Sequence, residues 1–422
     1  MAAHGHGPEL ISLFLRLVLV AGVSLRAVPR VLETINQSLG LSLPVPCWTT
    51  GRLWLLRLGH AVLSAPSQVA DDWAWLIDHS VQIGRDKCLV ILGVRLADLP
   101  EPGESLRHED LELIELLPAE RWTCAEVDRA LEDAARRGGC VPRAIVDDHG
   151  GDLTGGVALF RQRHPQTLEL YDAKHKAACL LKGRLEKDPR WQEFQTRVGQ
   201  TRCAVQQTEL AFLTPPGPRP KARFMNLGRQ LNWARRVLAT LREPTVVRKF
   251  ATARRLKEKL GWVEGFQNEL TEWSQWQQVV DVTTTLVNTR GIYRGGANLL
   301  AGRLSQLDAL KDGAQNLGKE LVQFVRSQEA LVRRGERLPG STEVLESCFG
   351  KFKQLEKQHS RGGFTQLLLG FGAMLANVTG EVVRDALQAS RTADVRQWAA
   401  EKLGFTLFAQ RKLAFAGARK DG

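Results

Sequence analysis

Several motifs that would assign this 422-residue chain to a common protein class are missing. It has no P-loop, no nucleophilic-serine elbow and no dinucleotide-binding glycine motif, so the sequence does not support those enzyme classes. Its seven cysteines are scattered and include no Cys-x-x-Cys pair. This spacing argues against a zinc finger or a disulfide framework and favours a reducing compartment, the cytoplasm.

The chain also lacks an uncharged apolar stretch of membrane length. The nearest candidate, Leu10 to Leu25, is interrupted by Arg16 and preceded by Glu9 rather than by Lys or Arg. A signal peptide carries positive charge before its apolar part. We therefore expect neither secretion nor membrane insertion.

Positive charge is in excess, with a formal net charge of +12, and it is concentrated in one part of the chain. Between Lys182 and Lys259 there are 19 Lys and Arg residues against 6 Asp and Glu, so the remaining sequence is about neutral. Such a concentration indicates a polyanionic partner, most often nucleic acid. A solvated helical surface would carry the same charge, and the count leaves both interpretations open.

The first 66 residues predict three short helices. Their expected bounds are 9–23, about 25–39 and 52–63. Ser24 can cap the second helix, and Thr49 or Thr50 can cap the third. With a turn at Gly22, three such helices are typical of a helix-turn-helix DNA-binding unit, and a small helical bundle without a DNA role is the alternative. The side chains expected to contact DNA are Arg26, Arg30, Arg52 and Arg57.

From Trp73 onward the sequence alternates between strand and helix patterns, in the order strand, strand, strand, helix, strand, helix, strand, helix. The predicted strands are 73–83, 89–94, 111–117, 141–146 and 168–172, and a turn at 84–87 joins the first two. Thr123 and Glu126 form a capping box for the first helix, which stops at Gly138-Gly139. Thr154 can cap the next helix, and a basic helix starts near Ala173.

An antiparallel meander followed by strands connected through helices is the order of the RNase H-like fold, an α/β fold with a mixed sheet. In that fold the first acid lies on the first strand and the second lies just after the fourth. Asp78 and the pair Asp147-Asp148 occupy these two places. Asp148 is the preferred ligand because the turn Asp148-His149-Gly150 would present it clear of the apolar strand, and Asp147 is the alternative.

A third carboxylate is expected on a later helix that Ser341 or Thr342 can cap. Its apolar seam, which should pack on the sheet, consists of Leu345, Phe349, Phe352 and Leu355. Glu346 is the candidate acid on this helix. Glu343 is the alternative, although a carboxylate in the first turn also suits the helix dipole.

Glu346 and Lys353 lie seven residues apart and share one side of this helix. The segment resembles the DDE transposases of bacterial insertion sequences, part of which have a Glu-(six residues)-Lys spacing here. The resemblance covers nearly the whole chain in architecture but only three short segments in residues. Some relatives place a Tyr and an Arg shortly before the Glu, where this chain has Pro339 and Thr342.

The resemblance implies a DNA transposase that cleaves transposon ends and transfers the freed 3′-OH into target DNA. Three carboxylates fit two Mg²⁺ ions, with Mn²⁺ as a substitute; Asp78 would bridge them, and Asp148 and Glu346 would each complete one site. Double-stranded DNA is the expected partner, bound by a homodimer in the synaptic complex. We therefore expect the protein in the cytoplasm, associated with the nucleoid.

Four segments follow from this interpretation: 1–66, a helical DNA-binding region; 67–185, the first part of the RNase H-like core; 186–339, a mainly helical insertion; and 340–422, the second part of the core with C-terminal helices. The insertion begins with the basic stretch and contains an expected extended loop at 213–220. At the end of the fifth strand, Asp172, His175 and Lys176 could support the site or contact phosphate, and an ordinary helix start is the alternative.

Two other functions fit the same pattern. One is a different RNase H-like nuclease, such as a resolvase or an RNA-cleaving enzyme, although the insertion and the N-terminal helices speak against it. The other is a DNA-binding protein derived from a transposase whose chemistry has lapsed. The presence of all three acids speaks against the second alternative.

Overall fold

The computed structural model describes residues 5–83, 86–217, 224, 227–245, 247–357, 365–403 and 411–415. The chain is mixed α/β, and it divides into two compact units, Met1–Leu170 with Thr342–Gly422 and Tyr171–Ser341. The four-segment division expected from the sequence stays a prediction. The turn residues 84 and 85, part of the loop 213–220 and parts of 362–422 lie outside the described residues.

A five-stranded mixed sheet forms the centre of the first unit. Its strands are β1 (Trp73–Ile83), β2 (Asp86–Arg95), β3 (Glu112–Ala119), β4 (Ala144–Asp147) and β5 (Leu168–Tyr171), the last residue of which belongs to the second unit. The spatial order is β3-β2-β1-β4-β5; β2 pairs antiparallel with β1 and with β3, and β1 pairs parallel with β4. All five predicted strands are therefore present.

One face of the sheet is covered by α4 (Cys124–Gly138) and α5 (Gly151–Arg163). Trp73, Trp75 and Ile77 of β1 are buried there among apolar side chains of both helices. The capping box of Thr123 and Glu126 is confirmed at the start of α4, whose left-handed C-cap is Gly139. Since side chains alternate along a strand, the even-numbered residues of β1 point to the other face.

The other face is covered by α3 (Trp48–Ser64), α13 (Glu343–Lys357) and α14 (Gly370–Leu375). α3 and α14 pack against β3 and each other, and α13 packs against β1 and α14. Gly59 allows the close approach of α3, because a Cβ there would overlap the carbonyl oxygen of Leu369. The predicted seam of α13 is buried, and its Phe349 stacks on Phe371 with ring centroids 5.5 Å apart.

The remaining helices of the first unit are α1 (Pro8–Leu19), α2 (Val28–Leu39), α15 (Gly380–Ala389) and α16 (Thr392–Lys402). α15 packs against α1 and α3, and α16 packs against α3. The third N-terminal helix thus shares its core with the sheet and with the C-terminal helices. Trp54 of this helix is buried, and its ring packs edge to face on Phe14 of α1 with centroids 5.7 Å apart.

Three predicted helix caps are wrong. α2 begins after Ala27, and the Ser24 hydroxyl accepts from the Ala27 N–H in the preceding turn. α3 begins at Trp48, so the hydroxyls of Thr49 and Thr50 lie inside its first turn, 2.9 and 3.1 Å from Cys47 Sγ. α5 likewise begins at Gly151, which places Thr154 within the helix. In each case the turn geometry before the helix outweighs the capping preference of the residue.

The prediction that Arg57 contacts DNA is also wrong. Its side chain is only 7% exposed, and its guanidinium donates to the carbonyl oxygens of Ser390, at 2.7 Å, and of Leu387. These carbonyls end α15, where a cation satisfies acceptors that the helix leaves open. Arg57 therefore fastens α3 to α15.

The second unit consists of helices α6 (Ala173–Leu185), α7 (Pro189–Val205), α8 (Leu227–Arg242), α9 (Ala253–Leu260), α10 (Gln267–Arg290), α11 (Gly296–Ser305) and α12 (Asp312–Glu329). Aromatic rings fill its core, with Trp191 and Trp273 edge to face at 4.9 Å. Where the chain enters and leaves the unit, the Ala173 N–H donates to the Gly340 carbonyl at 3.0 Å. The two ends of this unit therefore lie side by side.

Among the described residues, no helix combines the length and the apolar character that a membrane-crossing segment requires.

Candidate active site

The register between β1 and β4 aligns two of the predicted acids. Leu76 lies opposite Val146 in this parallel pair, and continuing the register by two residues brings Asp78 level with Asp148, the first residue after β4. Partner residues on parallel strands face the same side of the sheet. Alternation therefore directs Asp78 toward the face that α13 covers, whereas Asp148 begins the turn after β4.

The backbone of β1 changes at the first of these acids. Asp78 is 9% exposed, and its pairing with Val90 is the last regular one before a register shift that ends at Val81. Such a bulge increases the local twist and re-aims side chains, and bulges are frequent beside active sites. A buried carboxylate at this place requires polar or ionic partners, because an isolated charge is costly to bury.

The turn after β4 separates the two neighbouring aspartates. Asp147 is fully buried, and its Oδ1 accepts the His149 N–H at 2.6 Å. Asp148 is half-buried, and its Oδ1 accepts the Gly150 N–H at 2.8 Å. His149 has a φ of 58°, the left-handed conformation that non-glycine residues rarely adopt. Each aspartate is thus fixed by the turn, and alternation along β4 directs Asp147 away from Asp78.

The third predicted acid lies at the start of α13. Glu346 and its alternative, Glu343, are both half-buried in the first turn, where the Thr342 carbonyl accepts from the N–H groups of Leu345 and Glu346. α13 packs against β1, the strand of Asp78. The helix therefore lies on the face toward which Asp78 points. The choice between Glu346 and Glu343 stays a prediction. Lys353, farther along α13, is exposed.

His79, the residue after Asp78, is a side chain near the candidate site that the sequence analysis did not single out. Its Nε2 lies 3.2 Å from Asp152 Oδ2, and its ring lies 5.4 Å from that of Trp122. Burial lowers the pKa of His79, which outweighs the raising effect of Asp152. As the residue after Asp78, it lies on the α4–α5 face, and only the fold shows that it meets the start of α5.

The predicted auxiliary residues after β5 belong to the second unit. Asp172 is 1% exposed and caps α6: its Oδ1 accepts the His175 N–H at 2.7 Å, and its Oδ2 accepts the Ser341 hydroxyl at 3.3 Å. The Lys176 ammonium lies 5.8 Å from the centroid of the Tyr171 ring. These contacts give Asp172 a structural task at the start of a helix.

The N-terminal arginines differ in exposure. Arg26 and Arg30 are exposed, and the guanidinium of Arg26 lies over the ring of Trp48 at 5.0 Å. Arg52 is half-buried. DNA contact by these three side chains stays a prediction.

A second group of ligand-type side chains was not found from the sequence. Asp147, His149 and Glu169 place one carboxylate or imidazole atom each within 4.8 Å of the others. Glu169 lies on β5 between Leu168 and Leu170, and in sequence it reads as an ordinary exposed residue of an alternating strand. Only the pairing of β5 beside β4 brings it to the turn after β4.

No protein-family model matches the chain, and no curated protein sequence matches it.

Proposed function

We propose that this protein is a DNA transposase whose active site is formed by Asp78, Asp148 and Glu346. The observation that supports the proposal is the parallel pairing of β1 with β4, because Asp148 directly follows β4 and α13, the helix of Glu346, packs against the strand of Asp78. The strand order β3-β2-β1-β4-β5, with an antiparallel meander and a parallel β4, supports an RNase H-like core.

The donor set of this site fits hard divalent cations. Carboxylate oxygens are the ligands that Mg²⁺ prefers, and Mn²⁺ accepts the same set. Asp78, Asp148 and Glu346 would hold two such ions, which when bound supply an activated oxygen nucleophile and stabilise the leaving oxygen of a phosphodiester. The Gly150 N–H donates to Asp148 Oδ1, and Asp78 is the last regularly paired residue of β1 before the register shift.

The exposed side of α8 supports double-stranded DNA as the partner. Its exposed arginines are Arg229, Arg235, Arg236 and Arg242. Within the described part of the chain none of the four forms an ion pair with a carboxylate, whereas Arg255 of α9 is paired with Glu258 at 3.0 Å. Unpaired arginines on one side of a helix suit phosphate contact. A homodimer would bring two DNA ends together, as the resemblance implies.

The chemical part of the proposal is tested by Mg²⁺-dependent cleavage of DNA carrying the terminal repeats that flank the gene. We expect cleavage and strand transfer by the wild type, and loss of both in Asp78→Ala and Glu346→Ala while DNA binding persists. Asp133→Ala, which removes an exposed acid of α4, is the matched control and should retain activity.

Other results would change the assignment. Activity that survives Glu346→Ala and is lost in Glu343→Ala would assign the third carboxylate to Glu343. Cleavage without strand transfer would indicate a different RNase H-like nuclease. Binding of the repeats without cleavage in Mg²⁺ or Mn²⁺ would indicate a DNA-binding protein with lapsed chemistry.

The DNA-binding part is tested by the salt dependence of affinity. Each lost phosphate contact should reduce the slope of log K against log salt concentration by roughly 0.9. We expect Arg235→Ala with Arg236→Ala to reduce it by about two such contacts. Arg255→Ala should leave the slope unchanged, because its guanidinium already faces carboxylates. Equal slopes in both variants would show that these arginines of α8 do not contact DNA phosphates.

A further inference from the structure

The group formed by Asp147, His149 and Glu169 lies on the other face of the sheet from Asp78. Asp147 follows Ile145 by two residues on β4, and Ile145 is buried among the side chains of α4 and α5. Glu169 is held from the same side, because Arg161 of α5 lies 3.2 Å from its Oε2. The group is therefore separate from the carboxylates proposed for catalysis.

The ligand atoms of this group are close to the spacing that a metal ion requires. His149 Nε2 lies 3.7 Å from Glu169 Oε1, and one ligand atom of each of the three residues lies within 4.8 Å of the other two. Ligands at ~2.1 Å from a tetrahedral ion are ~3.4 Å from each other. Closing the widest separation, which is at most 4.8 Å, to that value would therefore complete the set.

One oxygen of each carboxylate accepts a hydrogen bond. Arg161 holds Oε2 of Glu169, whereas Oε1 is buried and accepts no hydrogen bond in the described part of the chain. The His149 N–H holds Oδ1 of Asp147. These two hydrogen bonds fix the orientation of the carboxylates, as supporting hydrogen bonds do around protein metal ligands.

We propose that Asp147, His149 and Glu169 bind one divalent transition-metal ion of the Zn²⁺ class. An imidazole nitrogen with carboxylate oxygens suits Zn²⁺ and Co²⁺, whereas Mg²⁺ prefers oxygen alone. Three protein ligands leave a fourth position for water, and His149, with 35% of its side chain exposed, gives solvent access to the site. The site does not depend on the proposed transposase chemistry, since it shares no ligand with it.

The test is Zn²⁺ binding by the purified full chain, measured by titration calorimetry in millimolar Mg²⁺, with Co²⁺ absorption as a report of nitrogen ligation. We expect one ion per chain in the wild type. His149→Asn should weaken binding by at least about a hundredfold, beyond the ~10–100-fold that loss of a residue merely supporting a ligand causes. Asparagine tolerates the left-handed backbone at this position, so the variant should fold.

Two controls and a second variant complete the experiment. Glu169→Gln should weaken binding in the same way, because its shape is retained and its charge is lost. Asp78→Ala and His164→Ala, which remove an acid of the other face and a histidine paired with Glu132, should bind Zn²⁺ like the wild type. Absence of binding, unchanged binding in His149→Asn, or loss in Asp78→Ala would overturn the proposal. Zn²⁺ binding without DNA cleavage would support this site while contradicting the proposed function.

Discussion

The two faces of the sheet are covered by helices of different origin. α4 and α5, which cover one face, each connect two strands of the sheet, whereas α3, α13 and α14 reach the other face from before and after the strands. At the end of β4 the first face carries an imidazole with two carboxylates. The second face carries Asp78, and the helix of Glu346 packs against its strand.

This difference shows why neighbours in sequence can have different chemistry. Asp147 and Asp148 are adjacent, yet Asp147 ends β4 near His149 and Glu169, whereas Asp148 begins the turn and its Oδ1 accepts the Gly150 N–H. Oxygen ligands alone favour hard cations and phosphoryl chemistry, and a mixed nitrogen and oxygen set favours a borderline ion. Each face can therefore be tested by changes that leave the other intact.

The largest expected effect comes from substituting Asp147 and Asp148 one at a time. We expect Asp148→Asn to reduce the rate of Mg²⁺-dependent cleavage by on the order of 10²–10³-fold, as loss of a group that stabilises developing charge does. Asp147→Asn keeps the acceptor oxygen for the His149 N–H and should cost no more than about 10–100-fold, the effect of a supporting residue. The measurement is the single-turnover rate. A larger loss in Asp147→Asn would reverse the assignment of the two faces.

A smaller effect concerns the helices that reach the Asp78 face from distant parts of the chain. Arg57→Met should lower the free energy of unfolding by about 1–3 kcal/mol, because the carbonyls of Leu387 and Ser390 lose their buried donor. Arg26→Met, an exposed arginine of the same region, should change it by less than ~0.5 kcal/mol. Urea unfolding compares the two. Equal stabilities would show that the contact of α3 with α15 contributes little.

The smallest expected effect is a pH dependence of the free energy of unfolding that arises from His60 of α3. Burial lowers the pKa of His60 below its ordinary value of 6.5, with a smaller raising effect from Asp394, and its Nδ1 lies 3.0 Å from the Ser390 hydroxyl. The unfolded chain therefore binds this proton more readily, and the free energy of unfolding should fall as pH drops below 6.5. His60→Gln should show a shallower fall between pH 7.5 and 5 in the same urea assay. A parallel pH profile in the variant would assign the dependence to other groups.

Local sequence signals predicted the α4–α5 face well. The five strands, the capping box of Thr123 and Glu126 and the stop after Gly138 depend on neighbours within a few residues, and the structure has all of them. The place of the Asp147-Asp148 pair at the end of β4 was predicted in the same way, because strand ends can be read from apolar runs followed by polar turns. The role of these acids and of Asp78 as metal ligands stays a prediction.

The other face required tertiary information. Nothing in residues 48–64 shows that α3 packs on β3, which comes two strands later, or that Arg57 faces the end of α15, 333 positions away at Ser390. The same holds for Glu169, whose neighbours are set by strand pairing. The cap predictions at Ser24, Thr49 or Thr50 and Thr154 were wrong because a capping preference of about 1 kcal/mol is smaller than the constraints of the turns around it.

The hydrogen bond between Ala173 and Gly340 has a consequence for how this chain can change over generations. A unit whose two ends meet can be lengthened, shortened or exchanged without pulling apart the segments that flank it. Variation in the helical unit is thereby uncoupled from the inheritance of the sheet and its acids. The junction formed by Asp172, Ala173 and Gly340 is consequently the natural place to splice in a different unit, whether by recombination or by an engineer.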